Sequence, residues 1–225
     1  MSDAAVLLAG ASGFSFPSWK PGFYPAGTKQ GDFLRFYAQR LRTVELNTTY
    51  YRLPAAAQLE RWAAAVPVGF RFAVKAPMSL SIWGRLDEGP GFCARARALG
   101  DRLGPLLVRL HDARTRDDEF LSALLDGIDS DLPVALDLRD PSWDGVEGEL
   151  AARPNVVRVN QLEAAAPFRY LRLRDPPYDE AALRACARRI RALLDDGATV
   201  FAYFRHEDEP TAPAYAVRLL ELVGQ

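Results

Sequence analysis

Cysteine is scarce: Cys93 and Cys186 are the only two among 225 residues. That excludes a disulfide framework and a cysteine-rich zinc cluster, and both thiols fall in helix-like segments where small buried side chains are expected. With only two histidines and scattered acids, the ligand density of a metal-dependent barrel nuclease is missing, and no metal is expected. A charge excess is missing too. The 28 Lys and Arg against 29 Asp and Glu leave a net charge of -1, with no global field to attract nucleic acid or a membrane. No apolar run reaches the roughly 18 residues of a membrane span. The short run Ala4-Ala5-Val6-Leu7-Leu8-Ala9 has no basic flank, which favours a first buried strand over a signal peptide and predicts a cytoplasmic protein. Gly10, Gly13 and Gly22 match no phosphate-loop spacing, and no motif calls for a cofactor.

What is present is a repeated alternation. Strand candidates fall at 6–14, 43–51, 71–76, 106–111, 133–139, 156–160, 170–174 and 199–205, with helical segments between most of them. The helix after the sixth strand is poorly marked. No linker or composition shift divides the chain. The pattern predicts one α/β domain over 1–225, a parallel eight-stranded (β/α)8 barrel of the TIM type, with an open doubly wound α/β sheet as the alternative.

Strands buried on both faces normally read as continuous apolar runs. These instead alternate. Val44 and Leu46 flank Glu45; Phe72 and Val74 precede Lys75; Val108 and Leu110 alternate with Arg109 and His111. Further on, Leu136 and Leu138 alternate with Asp137 and Arg139, Val157 and Val159 with Arg158 and Asn160, Leu171 and Leu173 with Arg172 and Arg174, and Ala202 and Phe204 with Tyr203 and Arg205. Period-two geometry puts each set on its own face. With the aliphatic set under the helices, the polar set points inward near the C-terminal strand ends, where this architecture keeps its sites.

The expected inward set holds seven cations, Lys75, Arg109, Arg139, Arg158, Arg172, Arg174 and Arg205, against Glu45 and Asp137. Desolvated charges are costly unless paired, so the surplus predicts a small anionic ligand bearing phosphate or carboxylate, which arginine's planar fork suits. A competing reading is that Glu45–Lys75 and Asp137–Arg139 are barrel-filling ion pairs while the other arginines reach out to solvent. The catalytic candidates are Glu45 as base, Lys75 as proton donor or Schiff-base amine, and Asp137. On this reading Glu45→Gln abolishes turnover and leaves the fold intact. Ser12, Trp19, Tyr24, Asn47, Tyr51, Trp143, Asn160 and Tyr203 complete the ligand-binding candidates, with Arg109, His111, Arg139, Arg172, Arg174 and Arg205. Trp19 and Tyr24 either stack on a ligand or plug the barrel mouth, and the parity of His206 points it away from the lumen. A glycosidase-like pairing of Glu45 with Asp137 is disfavoured, because neighbouring cations spoil a general acid. The alternatives to a metal-independent enzyme are a protein that binds or processes nucleic acid or nucleotides, and a non-catalytic sensor of an anionic metabolite.

Several blocks resemble one family. Gly10-Ala11-Ser12-Gly13-Phe14, Pro17-Ser18-Trp19-Lys20, Phe23-Tyr24-Pro25, the run Thr43 to Pro54, the run Gly69 to Pro77 and Asp140-Pro141-Ser142-Trp143 are similar to the YecE-like family, domain of unknown function 72. The resemblance implies a TIM-like barrel and carries no established activity. The second half departs from it toward arginine: Arg109-Leu110-His111-Asp112, Arg172-Leu173-Arg174-Asp175 and Tyr203-Phe204-Arg205-His206 stand where that family tends to have Gln-Leu-Pro-Pro, Arg-Leu-His-Gly and Tyr-Phe-Asn-Asn.

Overall fold

The computed structural model describes residues 5–163, 166 and 168–224; Ala4, at the head of the first apolar run, lies outside them. Eight parallel strands form: β1 (Leu7–Ala11), β2 (Thr43–Leu46), β3 (Arg71–Lys75), β4 (Leu103–Arg109), β5 (Val134–Asp137), β6 (Val156–Arg158), β7 (Phe168–Leu173) and β8 (Thr199–Phe204). Around them run α1 (Phe33–Tyr37), α2 (Ala56–Ala64), α3 (Met78–Ser81), α4 (Gly89–Ala96), α5 (Asp118–Asp126), α6 (Glu147–Leu150), α7 (Glu180–Asp195) and α8 (Thr211–Val223). The short helix α3 lies in the stretch after β3. Among the described residues no helix separates β6 from β7, which accounts for the weak signal there.

The strands divide into a five-stranded sheet ordered β2-β3-β4-β5-β6 and a three-stranded sheet ordered β1-β8-β7. The first strand pairs with the last, Leu7 opposite Val200 through Ala11 opposite Phe204. The five-stranded sheet never reverses its order, unlike a doubly wound sheet. The architecture is TIM-barrel-like, and among the described residues no continuous ladder joins the two sheets.

Side chains bridge the gaps instead. Between β1 and β2, the Tyr37 hydroxyl accepts from Ala11 N at 2.8 Å and donates to Thr43 O at 2.9 Å. A Cβ on Gly10 would lie 2.2 Å from Thr43 O, so only glycine permits this approach. Between β6 and β7, Asn160 adopts a left-handed backbone (φ 63°). Its N–H donates to Tyr170 O at 2.9 Å, its Oδ1 accepts from Arg172 N at 2.8 Å, and its Nδ2 donates to Arg172 O at 3.3 Å. A side-chain amide here does the work of two further ladder bonds.

Two apolar clusters follow from the alternation. The outer one places Val44, Leu46, Phe72, Val74, Val108, Leu136 and Phe204 under the helices. The inner one fills the space between the sheets with Leu8, Ala73, Leu107, Ala135, Phe168, Tyr170, Phe201 and Tyr203. Large rings come from β7 and β8 and alanines from β3 and β5, so the two sides interdigitate. Helix ends follow ordinary chemistry. Asp117 caps α5 through Phe120 N and Asp179 caps α7 through Ala182 N.

Candidate functional site

Above the inner cluster, three charged side chains from three strands interlock. Glu45 of β2 is fully buried. Arg172 of β7 grips it from across the interior, Nε to Oε2 at 3.0 Å and Nη2 to Oε1 at 2.9 Å. The remaining nitrogen, Nη1, donates to Asp137 Oδ2 of β5 at 2.6 Å. Glu45 also accepts from Ser12 Oγ at 2.8 Å, from Tyr170 Oη at 2.8 Å and from Asn47 Nδ2 at 3.4 Å. Five donors on about four lone-pair positions leave no room for a substrate proton. Burial by itself would raise the Glu45 carboxyl, but the charge and hydrogen bonds of Arg172 hold it below its ordinary value. Asp137 behaves likewise, burial being outweighed by Arg172 and Arg139. Glu45 is therefore an ionised strut for Arg172. The base expected from the sequence is occupied.

The expected pair Glu45–Lys75 does not form, whereas Asp137 does meet Arg139, with Nε–Oδ1 at 3.2 Å. Arg109 reaches Asp112 at 2.6 Å and holds its Nε 3.9 Å from Asp137. That Nε is buried and has no hydrogen-bond partner. Arg174 donates to Ser12 Oγ at 3.0 Å. No carboxylate lies within 4.0 Å of it among the described residues. Burial first, then the like charges of Arg172, Arg205 and Arg139, lower it to about 10.

Lys75 is nearly buried, and its ammonium sits 3.8 Å from the centre of the Tyr50 ring, an attractive cation–π contact. Burial, followed by the repulsion of Arg172, pulls its pKa down to about 8. Lys20, Lys29 and Lys75 are the only lysines in the chain. After reductive 13C-methylation, one of three dimethyl-lysine NMR signals is expected to titrate near 8 and to vanish in Lys75→Arg. A midpoint for that signal at or above its ordinary 10.5 would show that Tyr50 and Glu45 outweigh burial.

Around this mouth six cations, Lys75, Arg109, Arg139, Arg172, Arg174 and Arg205, meet three carboxylates, Glu45, Asp112 and Asp137, an excess of three. The seventh expected cation is elsewhere. Arg158 faces outward, where Trp143 O, Asp144 and Glu147 receive it at 3.2 Å each. Val157 and Val159 take the inner side of β6 instead.

Other expected ligand contacts also move. Trp19, Tyr24 and Trp143 are fully buried in the outer core. Trp19 Nε1 donates to Glu207 O, Trp143 Nε1 to Arg114 O, and Tyr24 stacks on Phe33 at 4.3 Å. Tyr203 is buried below the charged layer, its hydroxyl 2.6 Å from Thr43 Oγ1. His111 is an exposed rim residue whose Nδ1 accepts from Ala113 N at 3.2 Å. Asn160 is spent on the gap between β6 and β7. Ser12, Asn47, Tyr51 and His206 instead border a groove of about 1020 Å³ beside the mouth, walled by Phe14, Phe16, Leu34, Leu46 and Trp62. Sequence reasoning missed Tyr170, although it shares the parity of Arg172 two residues on, and it missed the groove entirely. Among the described residues, no three His, Cys, Asp or Glu side chains gather as a metal-holding group, and no helix is long and apolar enough to cross a membrane.

Parallel strands in this order, with a basic cluster at their C-terminal ends, define the class as a TIM-barrel-like α/β protein. The chain belongs to the family described as "Protein of unknown function DUF72", whose model matches residues 8–225. A DUF72 family protein from Thermotoga maritima is 22% identical, with 98% of this chain and 100% of that chain covered and a TM-score of 0.86. A DUF72 family protein from Enterococcus faecalis, known in two crystal structures, is 17% identical over 88% of this chain and 96% of that one (TM-score 0.74) in the first. In the second it is 19% identical over 98% and 96% (TM-score 0.78). At these identities the likeness speaks for the fold alone. No curated protein matches.

Proposed function

We propose that the chain is a single closed barrel domain whose mouth holds a small phosphate- or carboxylate-bearing ligand, and that it is an enzyme acting on that ligand with Lys75 as its reactive group. The observation that carries this reading is Arg174. It is a partly buried guanidinium held by one serine hydroxyl, crowded by other arginines and lacking a carboxylate. Such a group is stabilised by an incoming anion. Asn160 and Tyr37, which bridge the two gaps between the sheets, support the closed-barrel reading.

With Glu45 saturated, proton transfer or amine chemistry falls to Lys75. An amine with a pKa of about 8 is partly unprotonated near neutrality and so suits either role. The test is thermal denaturation with inorganic phosphate and with citrate. At a hundred times Kd the wild type is expected to gain about 2.7 kcal/mol, roughly 5–10 °C in Tm, and Arg174→Met to gain almost nothing. If neither anion shifts the wild type, or if both shift Arg174→Met equally, the reading fails. Turnover on a panel of phosphorylated and carboxylated metabolites, lost in Lys75→Met, supports the enzyme. Binding without turnover would leave a sensor.

A further inference from the structure

We propose that the groove beside the mouth takes a flat aromatic body attached to the same anion, so that the ligand class is a small aryl phosphate or aryl carboxylate. This rests on the anion-site reading above and adds the other half of the molecule. Ser12 joins the two regions. Its hydroxyl accepts from Arg174 Nη1 at 3.0 Å, and the same residue lines the groove. Asn47, which donates to Glu45, lines it too. Arg174 is not itself a wall of the groove but adjoins it through Ser12, and on this reading the anion's substituent runs across that residue into the groove.

The groove's walls suit a planar ring. Phe16 stacks on His206 with centroids 4.7 Å apart and an interplanar angle of 16°, while Phe14 meets Trp62 edge-on at 5.9 Å and 89°. Tyr51, on the groove's rim, is 81% exposed, an apolar surface that a bound ring would cover. Aromatic walls favour stacked or edge-to-face partners over an aliphatic chain of equal area. The volume, about 1020 Å³, also exceeds what a lone phosphate or carboxylate fills.

Isothermal titration with inorganic phosphate, phenyl phosphate, 1-naphthyl phosphate, 1-naphthoate and 1-naphthol tests the proposal. The naphthyl anions are expected to bind roughly tenfold or more tighter than inorganic phosphate, with phenyl phosphate between. Whichever of 1-naphthyl phosphate and 1-naphthoate binds tighter names the anionic group. Trp62→Ala should remove that gain while leaving inorganic phosphate binding unchanged. Because Trp62 also packs on Phe14, Gln58→Trp provides a second variant that fills the groove from α2 and should give the same result. Equal affinity for all the phosphates would overturn the groove proposal and leave the anion site standing. Binding by none would sink the anion reading first. 1-Naphthol binding as tightly as 1-naphthyl phosphate would show the groove to be independent of the arginines. A single-stranded oligonucleotide that outcompetes 1-naphthyl phosphate with steep salt dependence would replace the small-ligand class by a polymer.

Discussion

Arg172→Met is expected to destabilise the protein by about 3–5 kcal/mol at pH 7, the usual cost of breaking a buried ion pair from one side. The variant leaves Glu45 fully buried with Ser12, Tyr170 and Asn47, while Asp137 retains Arg139. The pH dependence should change with it. In the wild type both carboxyls lie below their ordinary 4.5 and 3.8. Their stabilisation is therefore complete above those values and is lost as pH falls through the folded ones. Without Arg172, burial becomes dominant and raises Glu45, which then regains stability by taking up a proton on acidification. The gap between variant and wild type should accordingly narrow as pH falls from 7 toward 4. Urea denaturation at several pH values measures both effects. A deficit below about 1 kcal/mol, or one that does not change with pH, would show that the network carries little of the fold. For the same reason Glu45→Gln is not a clean catalytic test, because it removes one of the two carboxylates that hold Arg172 and sets an amide in its place.

Gly10→Ala should be comparably damaging although it adds one methyl group. The new Cβ would sit 2.2 Å from Thr43 O and 2.8 Å from the Tyr37 hydroxyl. Neither neighbour is the free end of a flexible chain. One is backbone, and the other is tied to Ala11 N and Thr43 O. Overpacking costs about 1–3 kcal/mol. Forcing the hydroxyl away leaves a buried donor and acceptor unpaired for about 1–3 kcal/mol more. Gly91→Ala in α4 is the control. Nothing lies within 4 Å of its Cβ position, so the change should be neutral or stabilising by up to about 1 kcal/mol. Comparable midpoints for the two variants in urea would refute the close approach of β1 to β2.

Parity was readable where a strand alternated cleanly. Glu45, Lys75, Arg109, Asp137, Arg172 and Arg174 all reach the interior side because their aliphatic neighbours are claimed by the helices. It failed in β6, where Val156 and Val157 put a valine on each face, so the alternation does not mark which face is outer. There Asp144 and Glu147, just before and at the start of α6, decide which way Arg158 points. Aromatic residues in the first long loop gave no sign of whether they line a cavity or cork it, and Trp19 and Tyr24 lie in the outer core. The partner of Glu45 was hidden for a different reason. Arg172 lies 127 positions away and meets it across the interior rather than along a ladder. Only the arrangement of both sheets chooses it over Lys75.

Glu45 and Asp137 belong to the five-stranded sheet, while Arg172 and Tyr170 belong to the three-stranded one. The charged layer is thus also the bolt between two halves of the molecule. Layer and rim answer to different constraints. Arg139 and Arg205 are exposed at the rim, whereas any change at the bolt alters the docking of the halves.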